Sequence, residues 1–178
     1  MLNENARHPQ AAVIGPSDAE AEICEAAERV GAMLGRLGVT VITGGCGGVM
    51  EFASRGARKV GGITVGIVQS TERDEANKWC SIVIPTGLGQ ARNVLMALAG
   101  DFVIVIGSSV GTLSEICFAW VHNKPVFVLS NYGHWSERIG AWPLDPRHQC
   151  AFIECDNVDD LEKALIDTCK TLNLEVQI

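Results

Sequence analysis

The sequence has no run of lysine or arginine, no uncharged apolar stretch near the ~18 residues a membrane span needs, and no C-x-x-C pair. With a net charge of −7, the first absence excludes a nucleic-acid partner, since a duplex would meet repulsion. The second excludes a membrane partner. MLNENARHPQ at the start is polar and carries no apolar core of a signal segment, so a cytoplasmic location is expected. Seven cysteines leave one unpaired in any disulfide scheme. Cys24, Cys117 and Cys169 sit in helical patterns as small apolar residues, so reduced thiols are expected. Cys150 and Cys155 can meet only across a short strand whose alternation points them to opposite faces. His8, His122, His134 and His148 show no ligand spacing, and no metal is expected. Internal repeats and low-complexity tracts are also lacking.

What is present reads as one globular domain, residues 1–178, with 1–10 expected to be flexible; 47% of its residues are hydrophobic and 20% charged. Strand-like runs at 11–14, 39–43, 63–68, 81–84, 102–106, 126–129 and 151–154 alternate with helix-period segments. Ile23, Ala27, Val30, Leu34 and Leu37 form one apolar stripe, and Val49, Phe52, Ala53, Gly56, Ala57 and Val60 another. Gly38 and Gly100 stop their helices, and Asn157 caps the last one. The fold class is therefore α/β: a Rossmann-like, doubly wound, mostly parallel sheet of about seven strands with helices on both faces. Ligands of such sheets gather at the carboxyl ends of the strands.

Glycine concentrates in the strand-to-helix loops: Gly15-Pro16-Ser17, Gly44-Gly45-Cys46-Gly47-Gly48, Gly87-Leu88-Gly89, and Gly107-Ser108-Ser109-Val110-Gly111-Thr112. A glycine-rich turn before a helix lets an anion reach unpaired backbone N–H groups, so several on one sheet edge point to a phosphate-bearing small molecule. Cys46 in the second loop reads as a small residue filling a tight turn, or as a thiol activated by a helix N-terminus. Gly87 to Arg92 narrowly misses G-x-G-x-x-G, because Arg92 replaces the third glycine, and this disfavours NAD. Arg92 falls in the first turn of a helix expected over 90–99, where it opposes the macrodipole unless an anion or a carboxylate is near.

Thr112 to Glu115 reads as a capping box, which gives Glu115 a structural role; the alternative is a carboxylate at the mouth of the pocket. Ser17 and Glu20 repeat the pattern. Gly107-Ser108-Ser109-Val110-Gly111 is also a literal G-x-S-x-G, with Asp145 and His148 following in the order of a serine esterase. The chain's shortness, and a helix starting at the Thr112 cap rather than directly after Ser109, count against that chemistry. The connection from 130 to 149, with Tyr132, His134, Trp135 and Trp142, reads either as a lid over a ligand ring or as a surface excursion.

Three segments, VITGGCGGVMEFASRGARKVGG, IPTGLGQARNVLMALAGD and IGSSVGTLSEICFAWVHNKPVFVL, together resemble the SLOG superfamily of Rossmann-like proteins. That superfamily includes the LOG phosphoribohydrolases and the molybdenum cofactor carrier proteins. Gly111, Thr112 and Glu115 match the LOG signature P-G-G-x-G-T-x-x-E, and Arg92 is its arginine. Gly107, Ser108 and Ser109 depart from it. The Thr86–Gly89 and Ala91-Arg92-Asn93 pieces look closer to the carrier branch. The resemblance implies a carrier of a phosphorylated nucleotide or a molybdenum cofactor-like pterin, with no cofactor required for catalysis. As an alternative it implies a nucleoside 5′-monophosphate phosphoribohydrolase using Glu115 and Arg92. It also implies a homodimer or homotetramer, and the nearly all-round apolar helix from Leu113 to Val121 suits either burial or such a subunit contact.

Overall fold

The structure is a computed structural model and describes residues 7–133 and 152–177. Seven strands are described: β1 (Gln10–Ile14), β2 (Thr40–Thr43), β3 (Thr64–Val68), β4 (Ile82–Pro85), β5 (Phe102–Val105), β6 (Val126–Leu129) and β7 (Phe152–Cys155). They alternate with helices α1 (Ala21–Arg36), α2 (Val49–Lys59), α3 (Asn93–Ala99), α4 (Val110–Val121) and α5 (Val158–Thr171). The strands lie in the order β4-β3-β2-β1-β5-β6-β7 and every pairing is parallel. All strand-to-helix loops thus emerge on one edge, and the order reverses between β1 and β5, where α/β sheets open a crevice. Each expected strand is found within about one residue; Ala151 and Cys150 lie outside the described residues.

The strands are almost continuously apolar because both sheet faces are covered. In β1, Ala11 and Val13 enter the core built with α1, α2 and α5, while Ala12 and Ile14 enter the one built with α3 and α4. The two apolar stripes anticipated for α1 and α2 face each other unusually closely. A Cβ on Gly31 would fall on the Ala53 carbonyl, and one on Gly56 would fall on the Glu28 carbonyl. That approach brings Glu28 onto Arg55 and Lys59, and the Arg55 guanidinium lies 3.9 Å over the Phe52 ring.

Helix ends follow local chemistry. Gly38 takes φ +71° immediately after α1, and the Asn157 side chain accepts from the amides of Asp159 and Asp160. The Ser17–Glu20 box is not formed: α1 begins at Ala21 with Glu20 before it and no side-chain cap. The Pro16–Ser17 segment is engaged elsewhere, since the Pro16 carbonyl accepts the Val49 amide at 3.1 Å and closes the N-terminus of α2. The helix expected over 90–99 is split into a 3-10 turn, Gly89–Arg92, followed by α3.

Replacing Gly56 by alanine improves helix propensity by up to about 1 kcal/mol, but a Cβ pressed on backbone cannot be relieved by a rotamer. Gly56→Ala is expected to lower the unfolding free energy by about 2 kcal/mol, read as a lower urea midpoint with unchanged m-value.

Candidate functional site

The tips of five strands meet at one cavity of about 220 Å³. Gly15 and Ser17 follow β1, Cys46 and Met50 follow β2, and Gln69 follows β3. Gln90, Arg92 and Asn93 come after β4, and Ser109, Gly111, Thr112 and Glu115 after β5. The first turn and a half of α4 and the cap before it contribute Ser109, Gly111, Thr112 and Glu115, and a helix N-terminus carries the partial positive charge that suits an anion.

Arg92 is only 5% exposed, although it carries a full charge. Gly44 makes this possible: a Cβ there would lie 2.5 Å from Nη1 and 2.7 Å from Nη2 of Arg92, so the guanidinium rests on bare backbone. Nη1 donates to Glu115 Oε1 at 3.5 Å, and Nε finds no partner among the described residues. A buried N–H without an acceptor is costly, and an oxyanion oxygen in the cavity would relieve it. Glu115 is 7% exposed; burial drives its carboxyl from the ordinary 4.5 up to about 7, against the opposing pull of Arg92. Asn93 Nδ2 donates to Ser114 Oγ at 2.8 Å, which ties α3 to α4 beside the guanidinium.

The helix after β5 does not start at a Thr112–Glu115 box. It starts at Val110, with Ser109 as its N-cap: Ser109 Oγ accepts the Thr112 amide at 3.1 Å and lies 2.8 Å from Thr112 Oγ1. Glu115 is thereby freed from capping and turned toward Arg92. Starting directly after Ser109 removes one objection to a nucleophile elbow, but the backbone of Ser109 is extended (φ −151°, ψ 170°) and its hydroxyl is committed to the cap. Among the described residues no histidine lines the cavity, and Asp145 and His148 lie outside them.

Eight of the residues singled out from the sequence line the cavity: Gly15, Cys46, Arg92, Asn93, Ser109, Gly111, Thr112 and Glu115. Gly44 acts from behind as the seat of Arg92. Gly45, Gly47 and Gly48 do not line it. Gly45 donates to Thr43 Oγ1 at 3.2 Å, and a Cβ on Gly47 or Gly48 would meet the Ser17 or Pro16 carbonyl. The second glycine loop thus packs on the first, and the protein's own carbonyl fills the anion position of α2. Gly87 (φ +64°) shapes a turn beside Thr71, and Gly107 (φ +78°) lets β5 pass Pro16. Ser108 borders a separate depression that Pro16, Ile23 and Tyr132 also line; the rest of the 130–149 connection, from His134 on, lies outside the described residues. Ser17 and Gln90 also line the cavity from within the glycine loops without having been singled out as ligand residues, and Met50 and Gln69 line it from outside those loops. Gln69 was findable, because it directly follows the last residue of β3.

A doubly wound parallel sheet with a cavity at its switch point defines a Rossmann-like α/β protein. The SLOG cluster4 family profile matches residues 8–160, and the chain belongs to that family. It is 31% identical over 166 residues to a cytokinin riboside 5′-monophosphate phosphoribohydrolase of Mycobacterium tuberculosis, covering 83% of this chain and 88% of that one. Among solved structures it is similar to the molybdenum cofactor binding protein from the phototrophic bacterium Rippkaea orientalis. The TM-score is 0.82 and the identity 32%, over 91% of this chain and 98% of that one. The molybdenum cofactor carrier protein of Chlamydomonas reinhardtii follows at TM-score 0.77 and 28% identity, over 90% and 98% of the two chains.

The Glu115 carboxyl holds its proton in the fold at pH values where the unfolded chain releases it. Its contribution to stability is complete below about pH 4.5 and is lost as pH rises to about 7. Relative to Glu115→Gln, which cannot ionise, the wild type is expected to lose on the order of 2–3 kcal/mol across that window, measured by urea unfolding of both proteins at pH 4.5 and 7.5.

Proposed function

We propose that this protein binds and carries a small phosphorylated ligand, a nucleotide or a molybdenum cofactor-like pterin, with the phosphate held between Arg92 and the first turn of α4. The observation that carries this reading is Gly111. Its backbone is ordinary helix and needs no glycine; a Cβ there would meet nothing nearer than Ser109 Oγ at 3.7 Å and Asn93 Nδ2 at 4.0 Å, both cavity atoms. No described residue uses that space, yet a glycine leaves it open in the cavity that the buried Arg92 guanidinium, with its Nε unpartnered among the described residues, also lines. A phosphate oxygen fits it. The Rippkaea and Chlamydomonas proteins, named for binding or carrying the molybdenum cofactor, support the pterin form of the ligand.

The second reading, a phosphoribohydrolase, is favoured by Glu115. A carboxyl that titrates near 7 beside the anion site is poised to move a proton at neutral pH. In that reading water adds to the sugar carbon, the N-glycosidic bond breaks, and the base leaves with a proton. The named activity of the Mycobacterium relative supports it.

The protein is also read as a cytoplasmic homo-oligomer. No described helix is long and apolar enough to cross a membrane, and the outer face of α4 is uncharged, with Val110 84%, Phe118 36% and Val121 51% exposed. A second copy of the chain would cover that face.

Gly111→Ala separates fold from function. The variant is expected to unfold at the same or a higher temperature, because alanine is the better helix former, and to bind pterin phosphates and 5′-mononucleotides at least tenfold more weakly by calorimetry. Equal affinity in the variant overturns the phosphate assignment. Mass spectrometry of ligand released from freshly purified protein then distinguishes a pterin from a nucleotide. Ribose 5-phosphate formed from AMP by the wild type, and lost in Glu115→Gln, would establish the second reading over the first.

A further inference from the structure

We propose that Ser109 sets how strongly this cavity holds a phosphate group: its hydroxyl acts as a resident stand-in for one phosphate oxygen at the N-terminus of α4. The inference rests on the anion-site reading above.

At an uncapped helix the first amides are all open to an anion. Here the Leu113 amide already bonds the Ser109 carbonyl at 3.0 Å, and the Thr112 amide is taken by Ser109 Oγ at 3.1 Å. Ser109 Oγ also shares a hydrogen bond with Thr112 Oγ1 at 2.8 Å, so the one side-chain hydroxyl in that turn able to reach the same anion is engaged too. What remains for a ligand at the helix is the Val110 and Gly111 amides. The independent sign that an anion belongs here is Arg92, buried, lining the cavity and with Nε unpartnered. The site therefore pairs a strong guanidinium with a helix terminus part of whose capacity is spent internally. A small phosphate must compete with the Ser109 hydroxyl, whereas a larger ligand gains additional contacts along the cavity from Gln69, Gln90 and Cys46. Ser109 thus weakens the hold on every phosphate group alike, and a bare phosphate has no further contacts to offset that loss.

Two substitutions at this one position are expected to move binding in opposite directions. Glycine is nearly as good an N-cap as serine, so Ser109→Gly keeps the helix, releases the Thr112 amide and Oγ1, and is expected to bind inorganic phosphate three- to tenfold more tightly, about the worth of one recovered hydrogen bond. Aspartate is as good a cap as serine and places a fixed negative charge in the seat, so Ser109→Asp is expected to unfold at the wild-type temperature and bind no phosphate. The measurement is calorimetric titration of full-length wild type and both variants with inorganic phosphate and with GMP, beside thermal melts. Phosphate and GMP affinities should rise in Ser109→Gly by similar factors. Weaker or unchanged phosphate binding in Ser109→Gly overturns the proposal, because it would make the serine hydroxyl a donor to the ligand or a bystander. If phosphate and GMP bind wild type and Gly111→Ala equally, the anion-site reading itself has failed; if only the Ser109→Gly response is absent, that reading stands and this inference alone falls.

Discussion

The site depends on one buried positive charge. Arg92 reaches the cavity from a 3-10 turn at the end of the β4 loop, lies on the bare backbone of Gly44 and faces Glu115 across 3.5 Å. A guanidinium at 5% exposure is tolerable only if its donors are met, and one carboxylate at that distance meets part of them. The shortfall is informative. Glu115 is itself so desolvated that near neutral pH it is only partly ionised, so the pair cannot neutralise itself fully. An incoming oxyanion would complete the charge balance.

The fold was legible because its signals repeat. Seven apolar runs alternating with amphipathic helices leave little choice but a parallel sheet, and the edge on which function gathers follows from that topology rather than from any residue. The caps were less legible. Ser109 and Thr112 both offer a hydroxyl three residues ahead of a partner, and the S/T-x-x-E pattern favours the later one. Tertiary chemistry decides for the earlier: with α4 beginning at Val110, Glu115 falls on the face opposite Arg92. At Ser17 the competition is between a local cap and the unfilled amide of Val49, and the latter captures the Pro16 carbonyl next to it. Neither outcome is encoded within the local window that a capping motif reads.

Glycine density was a true but coarse signal. Gly15, Gly48 and Gly56 are glycines because another backbone lies where their Cβ would be, and at Gly48 a positive φ adds a second reason. Such residues hold elements together, and of the three only Gly15 also borders the cavity. Gly44 serves the site indirectly, by leaving room for a side chain 48 residues away in sequence. Gly111 differs from all of these, since none of the described residues claims its space. From sequence alone the kinds look identical, because what separates them is what stands opposite, which only the folded chain supplies.

Carriers and hydrolases of one fold differ in how the same parts are weighted. Hydrolysis needs the phosphate fixed tightly enough that a carboxyl acts on the sugar with correct geometry, and a helix terminus with all its amides free does this best. A carrier needs release as well as capture. In the carrier reading Ser109 would shift the balance toward release: a departing phosphate would leave behind an amide that the serine hydroxyl satisfies, as it does in this structure, so the empty cavity would not bear the cost of an orphaned donor at Thr112. Glu115 acts in the same direction, because it can hold Arg92 when the anion is gone. A site in which some ligand-facing groups keep internal partners suits exchange, and both partners here, Ser109 and Glu115, lie at or within the first turn and a half of α4.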